Sequence, residues 1–188
     1  MVLNYINSFN VLSESDLRDL MSLVERRSYT KNQFLVKEGE KCTEIAFLES
    51  GIFRTYYLGD DGKETTYCFR FPGDLVASYS SYISGKVSKE SIQAICDAEI
   101  TVFQKSRLEE MFNDNPNWIK FLKIIAEQEY LELERRFFQL QRDSASMRYN
   151  ELITVQPHYI QEIPLQFLAS YLGITQRHLS RIRKEVSF

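Results

Sequence analysis

Short segments rich in aromatic and β-branched residues occupy the chain between Tyr29 and Gln104 and are typical of β-strands. The strand candidates are residues 33–36, 44–48, 52–58, 65–71, 91–95 and 100–103. Segments with turn chemistry separate them, such as Gly59-Asp-Asp-Gly62 and Pro72-Gly-Asp74, in which glycine adopts positive φ and aspartate bonds its own backbone. The spacing predicts one compact barrel or sandwich.

Helical signals flank this β-region. Ser13-Glu-Ser-Asp16 precedes leucines at helical spacing and predicts a short capped helix. Ser106-Arg-Leu-Glu109 has a capping-box pattern and predicts a second short helix. Asn113-Asp-Asn-Pro116 then separates this helix from the next one. A long helix is expected over residues 117–142, because this segment contains neither glycine nor proline.

The long helix carries two apolar stripes when its residues are placed at 100° intervals. The first stripe, a candidate dimer seam, comprises Ile119, Leu122, Ala126, Tyr130, Leu133, Phe137 and Leu140. The second comprises Ile124, Leu131 and Phe138. One stripe can pack on the chain's own β-region, and the seven-residue repeat within the first suits a two-stranded coiled coil, which predicts a homodimer. The alternative is a helix buried between two parts of one chain.

The C-terminal segment has the spacing of a helix-turn-helix. Residues 144–157 predict one more short helix, and the motif follows between Ile163 and Lys184. Gly173 supplies the left-handed residue that ends its first helix, Ala169 allows the two helices to cross closely, and Ile174 fills the corner. The other structural positions are Pro164 in a first turn, Leu168 and Leu172 facing inward, Thr175 as the cap of the second helix, and Leu179 and Ile182 as its anchors.

Polar residues are left for the exposed face of the second helix. They are Gln176, Arg177, His178, Ser180, Arg181 and Lys184. Such side chains donate hydrogen bonds to base edges and phosphates, as a recognition helix must. Residues 174–188 carry a net charge of +3, which leaves −6 on residues 1–173 given the total of −3. This asymmetry favours a localised anionic partner, with a solvated helix face in a purely structural hairpin as the alternative.

The segment from Leu168 to Ile182, LASYLGITQRHLSRI, resembles the helix-turn-helix of the cyclic-AMP receptor protein and FNR (Crp/Fnr) family of bacterial transcription regulators. The order of a short helix, a β-region ending in Phe71-Pro-Gly-Asp74 and a long helix extends the resemblance over nearly the whole chain. It implies an α+β fold with three parts. These are a cyclic-nucleotide-binding-like β-roll (a double-stranded β-helix or jelly roll) with its N-terminal helix over 1–115, a dimerisation helix over 116–143, and a helix-turn-helix domain over 144–188. As a departure from the family, the sequence ends four residues after Lys184, so we expect this domain to be without a full C-terminal wing.

The resemblance also implies roles and partners. Positions matching Gln176, Arg177 and Arg181 would contact bases, and Thr175 would contact phosphate. The partners implied are double-stranded DNA with an approximately palindromic operator, a second copy of the chain, and RNA polymerase.

The nucleotide-binding signature of the family is only partly matched. Gly73-Asp74 stands where a Gly-Glu pair meets the ribose, and Lys89-Glu90-Ser91 stands near the Arg-Ser/Thr phosphate clamp. Glu90 would repel a phosphate, and lysine lacks the bidentate fork of arginine, so we expect no cyclic AMP binding. The candidate effector pocket comprises Gly73, Asp74, Tyr79, Tyr82, Lys89, Glu90 and Ser91. It could hold another small molecule, or its tyrosines could fill it and leave the protein active without an effector.

Composition narrows the remaining classes. Three separated cysteines, Cys42, Cys68 and Cys96, and two histidines form no zinc spacing or disulfide framework and are too few for a four-cysteine iron–sulfur cluster. We therefore expect a cytoplasmic protein without a metal or cofactor. Apolar runs of only a few residues argue against a membrane span. No catalytic constellation or phosphate-binding glycine loop is evident, so an enzyme is not expected. The alternative function is a ligand-binding β-roll that regulates a protein partner, with a vestigial DNA-binding segment.

Overall fold

The computed structural model describes residues 1–112 and 115–186. Asn113 and Asp114, where a break between two helices is expected, therefore lie outside the described residues. Two compact units are present. The first unit comprises Met1–Tyr57 and Cys68–Ala126, and the second unit comprises Leu58–Tyr67 and the chain from Glu127 onward.

Within the described residues, eight strands form two four-stranded sheets. Their bounds are β1 Glu25–Tyr29, β2 Phe34–Val36, β3 Glu44–Ser50, β4 Phe53–Leu58, β5 Glu64–Arg70, β6 Leu75–Val76, β7 Ser91–Ala94 and β8 Ala98–Gln104. The first sheet has the order β1-β8-β3-β6 and the second the order β2-β7-β4-β5. The pairs β1–β8, β3–β8, β2–β7 and β4–β7 are antiparallel. The two sheets confirm the predicted β-roll.

Helices precede, interrupt and follow the β-roll. Their bounds are α1 Val2–Asn7, α2 Glu14–Ser22, α3 Tyr79–Ser84, α4 Lys105–Phe112, α5 Pro116–Arg142, α6 Ala145–Val155, α7 Pro157–Glu162, α8 Leu165–Tyr171 and α9 Gln176–Val186. Ser13 caps α2 through a reciprocal capping box with Asp16, as predicted. The predicted cap at Ser106 is wrong, because α4 begins one residue earlier and Ser106 lies inside it.

The strands of the first sheet bury side chains on both faces. Ala46 and Leu48 of β3 belong to the core between the sheets, together with Val102 of β8. Phe47, between Ala46 and Leu48, and Phe103, next to Val102, belong to a separate core on the outer face. This alternation follows from the period of two along a strand. Helices α1, α2, α4 and the start of α5 cover the outer face with Val2, Ile6, Leu20, Leu108, Trp118, Phe121 and Ile125.

Helix α5 confirms the predicted long helix, but its burial differs from the stripe analysis. Its buried apolar residues are Trp118, Phe121 and Ile125. Leu131 and Phe138 of the second stripe are 59% and 49% exposed in the chain. Within the first unit, α5 packs on the β-region through these three residues, which lie between the two predicted stripes rather than in either of them.

Candidate nucleic-acid interface and effector pocket

The turn between α8 and α9 has the hydrogen bonds of a Schellman motif. Gly173 has φ of +69°. Its N–H donates to the Ser170 carbonyl over 2.9 Å, and the Ile174 N–H donates to the Ala169 carbonyl over 3.0 Å. Both bonds satisfy carbonyls that the end of α8 leaves open. The predicted role of Gly173 is confirmed.

Helix α9 is fixed by a cap and two anchors. The Thr175 hydroxyl accepts a hydrogen bond from the His178 N–H over 3.2 Å, so Thr175 caps the helix as predicted. Leu179 is fully buried and Ile182 is 3% exposed. These contacts hold one side of α9 against the rest of the second unit and orient the other side outward.

The predicted DNA-contacting residues share the outward side of α9. Thr175, Gln176, Arg177, Arg181 and Lys184 are exposed, and His178 and Ser180 are half-buried. The three cations among them are spaced i, i+4, i+7, so they form one stripe along the helix. The structure therefore brings all seven predicted residues together in one turn and one helix, and three of the five exposed ones are positively charged.

Two arginines outside the motif support it, and the sequence analysis missed both. Arg136 on α5 donates to the Tyr171 carbonyl and lies 3.7 Å from the centre of the Tyr171 ring. Arg148 on α6 donates to the Leu172 carbonyl over 2.8 Å. Cations at a helix C-terminus are stabilising because they meet the negative end of its dipole. The i, i+12 spacing of these arginines gives no local sequence signal.

A hairpin tip from the β4–β5 connection also belongs to the second unit. The Thr66 N–H donates to Ser170 Oγ over 2.9 Å, and Ser170 Oγ donates to the Glu64 carbonyl over 3.1 Å. Ser170 lies on α8, so its hydroxyl bridges the backbone of the hairpin to the first helix of the motif. Sequence reasoning gave Ser170 no role.

The candidate dimer seam on α5 is largely uncovered in the single chain. Exposed fractions are 65% for Ile119, 61% for Tyr130, 62% for Leu133, 57% for Phe137 and 44% for Leu140. Leu122 and Ala126 are half-buried. Several large exposed apolar side chains along one helix are characteristic of an interaction surface.

The candidate effector residues fall into two groups. Tyr79 and Tyr82 line a cavity on the outer face of the first sheet, whereas Gly73, Asp74, Lys89, Glu90 and Ser91 do not. The Asp74 carboxylate accepts a hydrogen bond from the Phe71 N–H over 2.8 Å. Ser91 Oγ accepts one from the Glu38 N–H over 3.0 Å, and Lys89 is exposed.

Two buried serines are hydrogen-bonded beside the expected phosphate clamp. Ser78 is fully buried and Ser88 is 2% exposed, and their hydroxyl oxygens are 2.9 Å apart. Ser88 Oγ also lies 2.7 Å from the Glu90 carbonyl, to which it donates in the alternative orientation. Ser81 Oγ accepts from the Cys42 N–H over 3.0 Å and donates to the Lys86 carbonyl over 2.6 Å. These hydroxyls are engaged with the chain itself.

Burial shifts two titratable groups near α3. Desolvation raises the pKa of Tyr82 to about 12, so its phenol is a neutral hydrogen-bonding group at physiological pH. Burial likewise raises the pKa of the Cys42 thiol, which disfavours the reactive thiolate. Within residues 1–112 and 115–186, no group of three or more metal-ligating side chains is assembled, and no helix is long and apolar enough to cross a bilayer.

The chain combines an antiparallel β-roll, a long helix with an exposed apolar row and a helix-turn-helix. This combination defines a class of proteins that join a β-roll to a helix-turn-helix motif. Residues 26–115 match the family described as cyclic nucleotide-binding domain. The chain is 24% identical over 177 residues to the transcriptional activator protein Anr of Pseudomonas protegens, covering 93% of this chain and 68% of that protein. It is 33% identical over 66 residues to an anaerobic regulatory protein of Aggregatibacter actinomycetemcomitans, covering 35% of this chain and only 26% of that protein.

The fold comparison agrees. A transcriptional regulator of the Crp/Fnr family from Eubacterium rectale superposes with a TM-score of 0.76 at 17% identity, covering 98% of this chain and 88% of that chain. The matching domain model, the Anr relatives and the structural neighbours support the Crp/Fnr family for this chain. The matched relatives are transcription regulators and not enzymes, in agreement with the expectation from the sequence.

Proposed function

We propose that this chain is a sequence-specific, DNA-binding transcription regulator that acts as a homodimer, with α9 as its recognition helix. The observation that carries the proposal is that α9 is buried on one side and exposed on the other. Leu179 and Ile182 are buried, while Arg177, Arg181 and Lys184 are exposed in one stripe. The major groove admits one helix and offers base-edge acceptors to such donors.

Homodimerisation is part of the proposal because one recognition helix reads only a half-site. The exposed apolar row of α5, with its repeat at Ile119, Ala126, Leu133 and Leu140, suits a two-stranded seam. Two recognition helices set about 34 Å apart would then meet successive major grooves of an inverted repeat. Regulation through RNA polymerase belongs to the same proposal.

The β-roll is proposed to act without cyclic AMP. Asp74 is engaged in its own turn, and Ser88 and Ser91 are hydrogen-bonded to the chain. A phosphate would have to displace these bonds and approach the carboxylate of Glu90. The proposed sensor therefore responds to another small molecule or stays active without one.

Selection of bound duplexes from a random DNA pool at about 150 mM salt tests the proposal, with cyclic AMP present in one arm and absent from the other. The expected result is an enriched inverted repeat that is the same in both arms. Enrichment only with cyclic AMP would refute nucleotide independence. Only non-specific binding, typically 10⁻⁴ to 10⁻⁶ M, would refute sequence recognition and favour the protein-partner alternative.

Arg181→Ala then tests the base-reading assignment on the selected duplex. Loss of a bidentate contact to guanine should weaken binding by about 1 to 3 kcal/mol and relax the preference at one base pair. Arg18→Ala is the matched control, since Arg18 lies on α2 with its side chain 72% exposed and carries the same charge. Equal effects of the two substitutions would show that Arg181 contributes only net charge.

A further inference from the structure

A cavity of about 260 Å³ lies on the outer face of the first sheet in the first unit. Its walls come from the sheet and from α1 to α5, through side chains that include Leu20, Leu75, Phe103, Leu108 and Trp118. Nearly all of the lining is aliphatic or aromatic. We propose that this cavity binds a small apolar carboxylic acid, whose chain or ring fills the apolar space and whose carboxylate meets Lys105.

The cavity is separate from the interior of the β-roll. Ile45 and Phe103 line it, whereas Ala46 and Val102, which alternate with them on β3 and β8, are fully buried in the core between the two sheets. Successive side chains of a strand point to opposite faces, so the first sheet itself stands between the two spaces.

Lys105 and Glu109 are the charged side chains that line the cavity. The Lys105 ammonium donates to the Tyr82 carbonyl and lies 4.9 Å from the centre of the Tyr82 ring, and its side chain is only 26% exposed. The Glu109 carboxylate is 3.8 Å away, beyond hydrogen-bond distance, and is 62% exposed. Since an ammonium has three donors, Lys105 can bond an incoming carboxylate while Glu109 stays solvated.

The volume limits the apolar part of the ligand. A dry apolar cavity of about 150 Å³ holds benzene, and drug-sized molecules occupy about 300 Å³ or more. A space of about 260 Å³ therefore suits a chain of about ten carbons or a fused two-ring system. A strongly polar ligand is disfavoured, because it would lose its hydration among apolar walls.

Trp118 is the only tryptophan of the chain, and it lines the cavity at 2% exposure. Its fluorescence can therefore report occupancy in the full-length protein. We expect decanoate to give a saturable change in Trp118 emission with matching heat in titration calorimetry, and decanol to bind more weakly. No saturable signal and no heat with decanoate would overturn the proposal.

Two substitutions separate the polar and apolar parts of the site. Lys105→Met should weaken decanoate about tenfold, because a charge-assisted hydrogen bond is lost, and should leave decanol nearly unchanged. Leu75→Phe should weaken both by narrowing the cavity, and Ile83→Phe at the exposed rim is the second variant should Leu75→Phe not fold. Undiminished decanoate binding in a folded narrowing variant, or in Lys105→Met, would place the ligand elsewhere.

The inference rests on the proposed function only in treating the first unit as a sensor. The titration contains no DNA, so its failure leaves DNA recognition untouched. Conversely, failure of the duplex selection leaves the binding of decanoate intact.

Discussion

Replacing Gly173 by alanine tests whether the turn geometry is set by backbone conformation alone. Gly173 has φ of +69°, and a Cβ added there would meet nothing closer than Arg148 Nη2 at 3.9 Å, which is an ordinary contact. The cost is therefore the left-handed strain of an L-residue, about 1 to 2 kcal/mol. Steric clash adds nothing to it. The Schellman turn should open about 5 to 30 times more often.

Hydrogen exchange of the Gly173 and Ile174 amides measures this opening, because both N–H groups donate in the turn. In Gly173→Ala the corresponding amides should exchange about 5 to 30 times faster than in the parent protein. Gly173→Asn should cost less, since asparagine tolerates the left-handed region.

Gly85 provides the matched control. It has the same φ of +69° with nothing within 4 Å, and it ends α3 in the first unit. Gly85→Ala should therefore accelerate exchange near its own turn and leave the Gly173 amide unchanged. An alanine at 173 that leaves exchange unaltered, or an asparagine that costs as much as alanine, would refute the strain argument.

Three further outcomes are expected. Leu133→Glu should convert the dimer into monomers in analytical ultracentrifugation, because it places charge in the proposed seam, whereas Leu131→Glu on the opposite stripe should not; equal effects would refute the seam. Ser170→Ala should speed exchange of the Thr66 amide at least fivefold, since that buried N–H loses its acceptor, and an unchanged rate would show that the bond is dispensable. Stability to urea should fall as pH rises from about 10 towards 12, because unfolded Tyr82 ionises first and folded Tyr82 near 12; Tyr82→Phe should flatten the decline, and an identical decline would assign it to other groups.

Sequence reasoning located elements whose signal is local. The capped helix at Ser13, the long helix without glycine or proline and the glycine-marked turn at Gly173 follow from short-range chemistry, and the structure has all three. It missed β1, whose residues Glu25–Tyr29 are mostly polar, because that strand is defined by pairing with β8 across 69 to 77 positions. Non-local pairing leaves little trace in a single segment.

The candidate site also combines features that local sequence predicts with features that depend on contacts between distant segments. All seven predicted DNA-contacting residues lie in one turn and helix, since their arrangement depends on helical periodicity alone. The bonds from Arg136, Arg148 and Thr66 to α8 were not foreseen, because each joins segments distant in sequence. The residues predicted to form one effector pocket lie in two separate places for a related reason. The face of a strand that a side chain occupies depends on strand register, which the sequence leaves open.

The distribution of charge bears on how the proposed complex forms. Residues 1–173 carry a net charge of −6 and residues 174–188 carry +3, so α9 is the part of the chain that attracts a phosphate backbone most strongly. In the proposed complex, an encounter with duplex DNA is therefore favoured when α9 approaches the DNA first. Few cations also mean few released counterions, so the salt dependence of binding should be shallow for a DNA-binding protein. Most discrimination between operators must then come from base contacts and from the spacing of the two helices in the dimer, rather than from general attraction to phosphate.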